Sequence, residues 1–177
     1  MIKCLFADFL IILVIAGSKD FDMALDAEPQ PLFGMSPELR EATALFGALN
    51  DEQLNKLLHF SHRKRYASSE KIFVQGDLPA DIYVVCEGRI DLIVQKNGVF
   101  NIEASFQVGD SLGETALIGI QPQVGTAIVS GGGAELLVIS RQDLLDLYES
   151  DVTLYAVLMM NIAREVSRKL HCLMQAN

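Results

Sequence analysis

Between Arg65 and Ile139 the hydrophobic pattern repeats every second residue, and no other feature of the chain narrows its fold as far. Lys71-Ile72-Phe73-Val74-Gln75 runs into Gly76-Asp77, and Ile82-Tyr83-Val84-Val85-Cys86 runs into Glu87-Gly88. Arg89-Ile90-Asp91-Leu92-Ile93-Val94 alternates strictly before Lys96-Asn97-Gly98. Further short strands are expected at 100–107, 124–130 and 135–139, with Gly131-Gly132-Gly133 read as the hairpin turn between the last two. Short strands broken by Gly and Asp at spacings of about 8 to 12 residues predict a sandwich or a jelly roll.

Helical periodicity flanks this region on both sides. Ser36-Pro37-Glu38 opens a helix, with Ser36 as N-cap, Pro37 at the first helical position and Glu38 favoured by the dipole. Leu39, Ala42, Leu45 and Phe46 then share one face, and Asn50 with Gln53 starts a second helix bearing Leu54, Leu57 and Leu58. After the strands, Ser140-Arg141-Gln142-Asp143 forms a capping box for a helix through Leu144, Leu145 and Leu147. A last helix is expected from about Val152 to Met174, striped by Tyr155, Leu158, Met159, Ile162, Val166, Leu170 and Leu173. The expected layout is therefore a helical pair over 36–60, a β barrel over 65–139 and C-terminal helices over 141–174, all within one domain spanning 36–177.

Residues 1–35 stand apart as an apolar segment and linker. Phe9 to Ala16 is an unbroken apolar run of eight residues, short of the roughly 20 that span a bilayer. A secretory signal is one of three readings, with Lys3 before the run and Ala16-Gly17-Ser18 after it, and Asp8 argues against it. A helix packed on the domain and an extension upstream of a native start at Met35 are the other readings. Pro29, Pro31 and Gly34 mark the linker. A cytoplasmic location is expected unless residues 1–17 act as a targeting segment, which would make the protein secreted or membrane-associated.

Composition excludes several function classes. A net charge of -9 repels phosphate backbones and disfavours nucleic acid as the primary partner. Cys4, Cys86 and Cys172 are scattered and odd in number, which suits reduced thiols rather than a disulfide framework or a zinc site. His59 and His62, which would share a helix face, lack a third ligand at metal spacing. No triad or paired-carboxylate arrangement has sequence support, and the triple glycine lacks the Lys-Ser/Thr of a P-loop. Neither catalysis, nor a metal, nor a resident cofactor is expected.

Binding chemistry concentrates in Leu112-Gly113-Glu114-Thr115-Ala116-Leu117-Ile118 and the following Pro122-Gln123-Val124-Gly125-Thr126-Ala127. Gly113 lets the backbone approach a ligand, and Glu114 is a strong hydrogen-bond acceptor. The amides of Thr115 and Ala116 would lie unpaired at a helix start, where an anion is favoured.

With Lys71-Ile72-Phe73-x-Gln75-Gly76-Asp77, Ile82-Tyr83-Val84-Val85-x-Glu87-Gly88 and Val108-Gly109-Asp110 in register, residues 36 to 174 resemble the cyclic nucleotide-binding domain family. The resemblance implies a double-stranded β-helix (jelly-roll) barrel, with Ile72, Val74, Tyr83, Val85, Ile90, Leu92, Leu112, Leu117 and Leu137 on its inner face. It implies that Gly113 and Glu114 take a ribose and the Thr115 and Ala116 amides a cyclic phosphate, which in the family is neutralised by an arginine just after the proline. Gln123 holds that arginine's place, and a neutral amide replaces a charged fork. Losing one partner of a buried charge pair costs about 2–5 kcal/mol. At about 1.4 kcal/mol per decade, micromolar binding falls to between roughly 30 μM and millimolar.

Val124 stands where cyclic-GMP-selective relatives carry threonine, so cyclic AMP is the expected ligand and cyclic GMP the lesser one. Thr126 would either donate its hydroxyl to the phosphate or pack its methyl in a strand. Arg89 and Arg141 are the other arginines considered for the phosphate, each expected at the surface. Leu112–Ile118 with Pro122–Ala127 is similar to the family's phosphate-binding cassette, and in the family ligand closes the C-terminal helices over that cassette. With no reader domain expected after residue 177, output would pass through association along the Tyr155–Leu173 stripe, as a homodimer or with a partner protein. A ligand-silent interaction module that keeps the fold is the competing expectation, and an anion or lipid-like ligand a third.

Overall fold

The computed structural model describes residues 35–175; the apolar run at 9–16, its possible roles and the linker lie outside the described residues. Helix α1 (Pro37–Ala42) is followed by a 3-10 turn (Ala44–Phe46) and helix α2 (Asp51–His59). Strands β1 (His62–Tyr66), β2 (Lys71–Phe73), β3 (Asp81–Lys96), β4 (Val99–Phe106) and β5 (Ser111–Leu112) lead to helix α3 (Glu114–Gly119). Strand β6 (Thr126–Ser140), helix α4 (Arg141–Ser150) and helix α5 (Val152–Gln175) complete the order.

All three capping signals operate. Leu39 N donates to Ser36 Oγ, Gln53 N to Asn50 Oδ1, and Asp143 N to Ser140 Oγ, the last two with the return bond of a capping box. The first helix is shorter than its apolar spacing predicts. Thr43 leaves the helical conformation, its hydroxyl donates back to Leu39 O, and a 3-10 turn presents Leu45 and Phe46 to the core while Ala42 stays at the surface.

Six strands form one mainly antiparallel sheet in the order β1-β6-β3-β4, with β2 also on β6 and β5 also on β3; its pairing is not closed into a barrel. Four strands read from the sequence are two long ones. Gly88 lies inside β3 and the triple glycine inside β6, so the latter is not a hairpin turn. Gly88 sits at φ 86° where the β3–β6 register shifts, and a Cβ there would lie 2.3 Å from Gly133 O. Such a glycine bends a strand through a bulge without ending it, and the long strands thus curl into the roll of a jelly-roll domain.

Two apolar clusters result. Tyr83, Val85, Leu136 and Val138 join Ile90, Leu112, Ala127 and Val129 inside the roll. Ile82, Val84, Leu137 and Ile139 face the helices, meeting Leu45, Phe46, Leu54, Leu57, Leu147, Leu154, Leu158 and Ile162. Of the expected inner face, Leu117 and Leu137 belong to the helix-facing cluster, and Val74 is 39% exposed. Alternation puts 136 and 138 on one face of β6 and 137 and 139 on the other, and the helices bury that second face as fully as the roll buries the first.

Candidate functional site

The turn from β5 into α3 builds the centre of the site. Gly113 takes a left-handed conformation (φ 90°, ψ -23°), and a Cβ there would stand 2.5 Å from Asp81 O, so both backbone angle and space require glycine. The turn swings Glu114 inward, where it is 1% exposed. Ser111, 2% exposed, lies beside it at the end of β3's partner strand. Thr115 is exposed and Ala116 buried in the first turn of α3, whose leading amides have no intrahelical acceptor. Tyr83 lines the same turn, and its hydroxyl donates to Asp81 Oδ2; burial, then the neighbouring Asp81 charge, pushes that hydroxyl's pKa up.

A group absent from the expected set completes the arrangement. Lys169, from the far end of α5, places Nζ 2.5 Å from Glu114 Oε1 and donates to Ser111 O at 2.7 Å and Ser111 Oγ at 3.3 Å. The ammonium also stands 5.4 Å above the Phe106 ring. Glu114 Oε2 is buried and has no hydrogen-bond partner among the described residues. Glu165, 3% exposed, lies 3.5 Å from Lys169 and takes two bonds from Arg168, at 2.9 and 2.6 Å. Burial raises the Glu165 carboxyl, but the Arg168 hydrogen bond and the Lys169 and Arg168 charges outweigh it and leave the pKa below the ordinary value. The sequence signal for Lys169 was its spacing. It stands seven residues after Ile162 and four after Glu165, on the face where the stripe expects an apolar residue.

The remaining expected residues lie in the segment before β6. Gln123 is 6% exposed, and its backbone is tied to the Gly76-Asp77 turn by bonds from Gly76 N and to Asp77 O. Val124 is 69% exposed. Thr126 alternates with buried Ala127 and faces away from the roll's core, where its Oγ1 accepts from Gln75 N. There it lines an open groove of about 630 Å³ with Lys71, Val74, Gln75, Ile93 and Phe100, among others. Of the expected set, that groove holds Thr126 and none of Gly113 to Ala116.

Arg89 pairs with Asp91 and Ser105 on an exposed face, and Arg141 donates to Pro79 O. His59 ends α2 while His62 begins β1, so the two do not share a helix, and no metal-holding cluster occurs among the described residues. No helix of the described residues is long and apolar enough to cross a membrane.

Residues 63–151, half of the chain, match the family model described as the cyclic nucleotide-binding domain. The catabolite activator protein of Thermus thermophilus shares the fold at TM-score 0.67 and 26% identity, covering 76% of this chain and 61% of that one. The chain is 25% identical over 129 residues to a probable potassium channel, AKT5, of Arabidopsis thaliana, which covers 73% of this chain and 14% of the channel. It is 29% identical over 87 residues to a cAMP-dependent protein kinase regulatory subunit of Blastocladiella emersonii, covering 49% of this chain and 22% of the subunit. The chain thus spans less than a quarter of the length of either curated relative. Fold, motif register and family match agree: this chain belongs to the cyclic nucleotide-binding domain family, a regulatory rather than a catalytic one.

Proposed function

We propose that this domain is a regulatory sensor that binds cyclic AMP weakly, in the cytoplasm, with Gly113, Glu114 and the Thr115 and Ala116 amides as its ribose and phosphate contacts. The observation that supports the reading is Glu114, a buried carboxylate whose Oε2 has no hydrogen-bond partner among the described residues and would accept from a hydroxyl once uncovered. Gln123 stands in place of the arginine, so the phosphate charge goes unanswered on that side and affinity is low. Val124 offers guanine no hydrogen bond, which favours cyclic AMP over cyclic GMP.

Calorimetric titration with cyclic AMP is expected to give a dissociation constant between roughly 30 μM and millimolar for the wild type. Gln123→Arg should tighten it, and Glu114→Ala in that background should abolish binding. Because ligand at a hundredfold excess over its dissociation constant stabilises a fold by about 2.7 kcal/mol, the arginine variant should also melt higher in cyclic AMP. Low-micromolar binding by the wild type would sink the role given to Gln123.

A second reading, a ligand-silent interaction module, is favoured by Lys169 already holding Glu114. A Gln123→Arg variant with no response to nucleotide would select it. In either case we place the output at α5, whose end exposes Leu170, Leu173 and Met174 and would pair with a second copy or a partner. Light scattering is expected to give a dimer mass at tens of micromolar protein, and a monomer mass there would refute the homodimer.

A further inference from the structure

Glu114 is the acceptor a ribose would use, yet it has almost no accessible surface. No donor can reach it until whatever covers it moves, and the group lying directly on its carboxylate is Lys169. Lysine carries three donors. This one directs them to Ser111 O, Ser111 Oγ and Glu114 Oε1, with its side chain only 25% exposed. A surface lysine spends its donors on water, whereas Lys169 spends them on the roll.

Its position on α5 gives the contact its meaning. The helix is anchored by Leu154, Leu158, Asn161, Ile162 and Glu165, and none of the described residues after Glu165 is buried. Leu170 and Met174 are 57% and 72% exposed. Lys169 therefore fastens the last turns of the helix, and it fastens them to the cassette.

We propose that Lys169 is a clamp that holds the cassette shut, so that uncovering Glu114 and freeing the end of α5 are one event. A molecule that reaches Glu114 must first release α5, the reverse of the helix closure that ligand drives in the family. Glu165 makes the open state accessible. It lies one turn back from Lys169, held by Arg168, so the released ammonium keeps a carboxylate neighbour on its own helix. The nucleotide identity of the entering molecule rests on the function proposed above, while the clamp is a property of the chain without ligand.

Hydrogen exchange on the full chain without nucleotide tests it, comparing wild type with Lys169→Met, Lys169→Arg and Glu114→Gln. In Lys169→Met, amides over 166–175 and over 111–119 should exchange faster together, by about tenfold or more, as expected from losing a charge-assisted hydrogen bond. Glu114→Gln keeps the side chain's shape while removing its charge, and should loosen the same two segments. Lys169→Arg keeps the charge and should stay close to wild type. Protection across β3 and β6 should match wild type in all three variants, which separates local opening from a failure to fold. Loosening of α5 alone, or of neither segment, overturns the clamp. Failure of cyclic AMP to bind would remove the proposed ligand and leave this exchange result standing.

Discussion

Leu158→Ala is expected to destabilise the domain by about 2–5 kcal/mol, measured by chemical denaturation. Leu158 is fully buried where α5 meets the helix-facing side of the sheet, among Leu54, Leu147, Leu154 and Ile162. Truncation there removes apolar contact and leaves a cavity between helices already tied to other elements, so the site collapses little. Leu170→Ala, on the same helix and in the same predicted stripe, is the matched control: at 57% exposure it should stay within about 0.5 kcal/mol of wild type. Equal costs at the two positions would contradict the placement of α5.

Asn161→Leu is the second large effect, and its sign runs against hydrophobicity. Asn161 is 3% exposed, and its Nδ2 donates to Leu45 O at 3.0 Å and to Gly47 O, pinning α5 to the chain around the 3-10 turn. Leucine is apolar and close in size, yet it would leave two carbonyls without their donor. An unsatisfied buried group costs about 1–3 kcal/mol, and because the Gly47 carbonyl is only partly buried it adds less than the Leu45 one, so a loss of about 2–4 kcal/mol is expected. A leucine variant as stable as wild type in urea would show that packing, and not these bonds, seats the helix.

These two positions mark what was legible in the sequence. Local signals were readable because their causes are local: the Ser36, Asn50 and Ser140 caps form with the residues expected of them. The period of two located the sheet, and the motif register located the turn at Gly113-Glu114. Gly88 and Gly131–Gly133 were misread as strand ends because a positive φ serves a turn and a bulge equally well; only the partner strand decides between them. Asn161 and Lys169 could not be assigned from pattern. Each is a polar residue on the packed face of α5 whose acceptors lie 116 or 55 residues away in sequence, at Leu45 O and the Glu114 carboxylate respectively. Helical spacing says which face such a residue occupies and nothing about what waits opposite. Thr126 was ambiguous between two faces for the related reason that a one-residue shift in register inverts a strand.

The ladder between β3 and β6 also has a consequence in time. Its inner rung pairs Ile93 with Thr126, a separation of 126 − 93 = 33 residues, and its outer rung pairs Asp81 with Ser140, a separation of 140 − 81 = 59. Contacts this distant in sequence are closed late and slowly, because chain entropy is lost before the pairing rewards it. Gly113 and Glu114 lie inside the loop that the inner rung closes, and Lys169 reaches them from beyond the outer rung. The cassette is therefore enclosed by pairings distant in sequence, and the lysine that reaches it comes from outside both rungs.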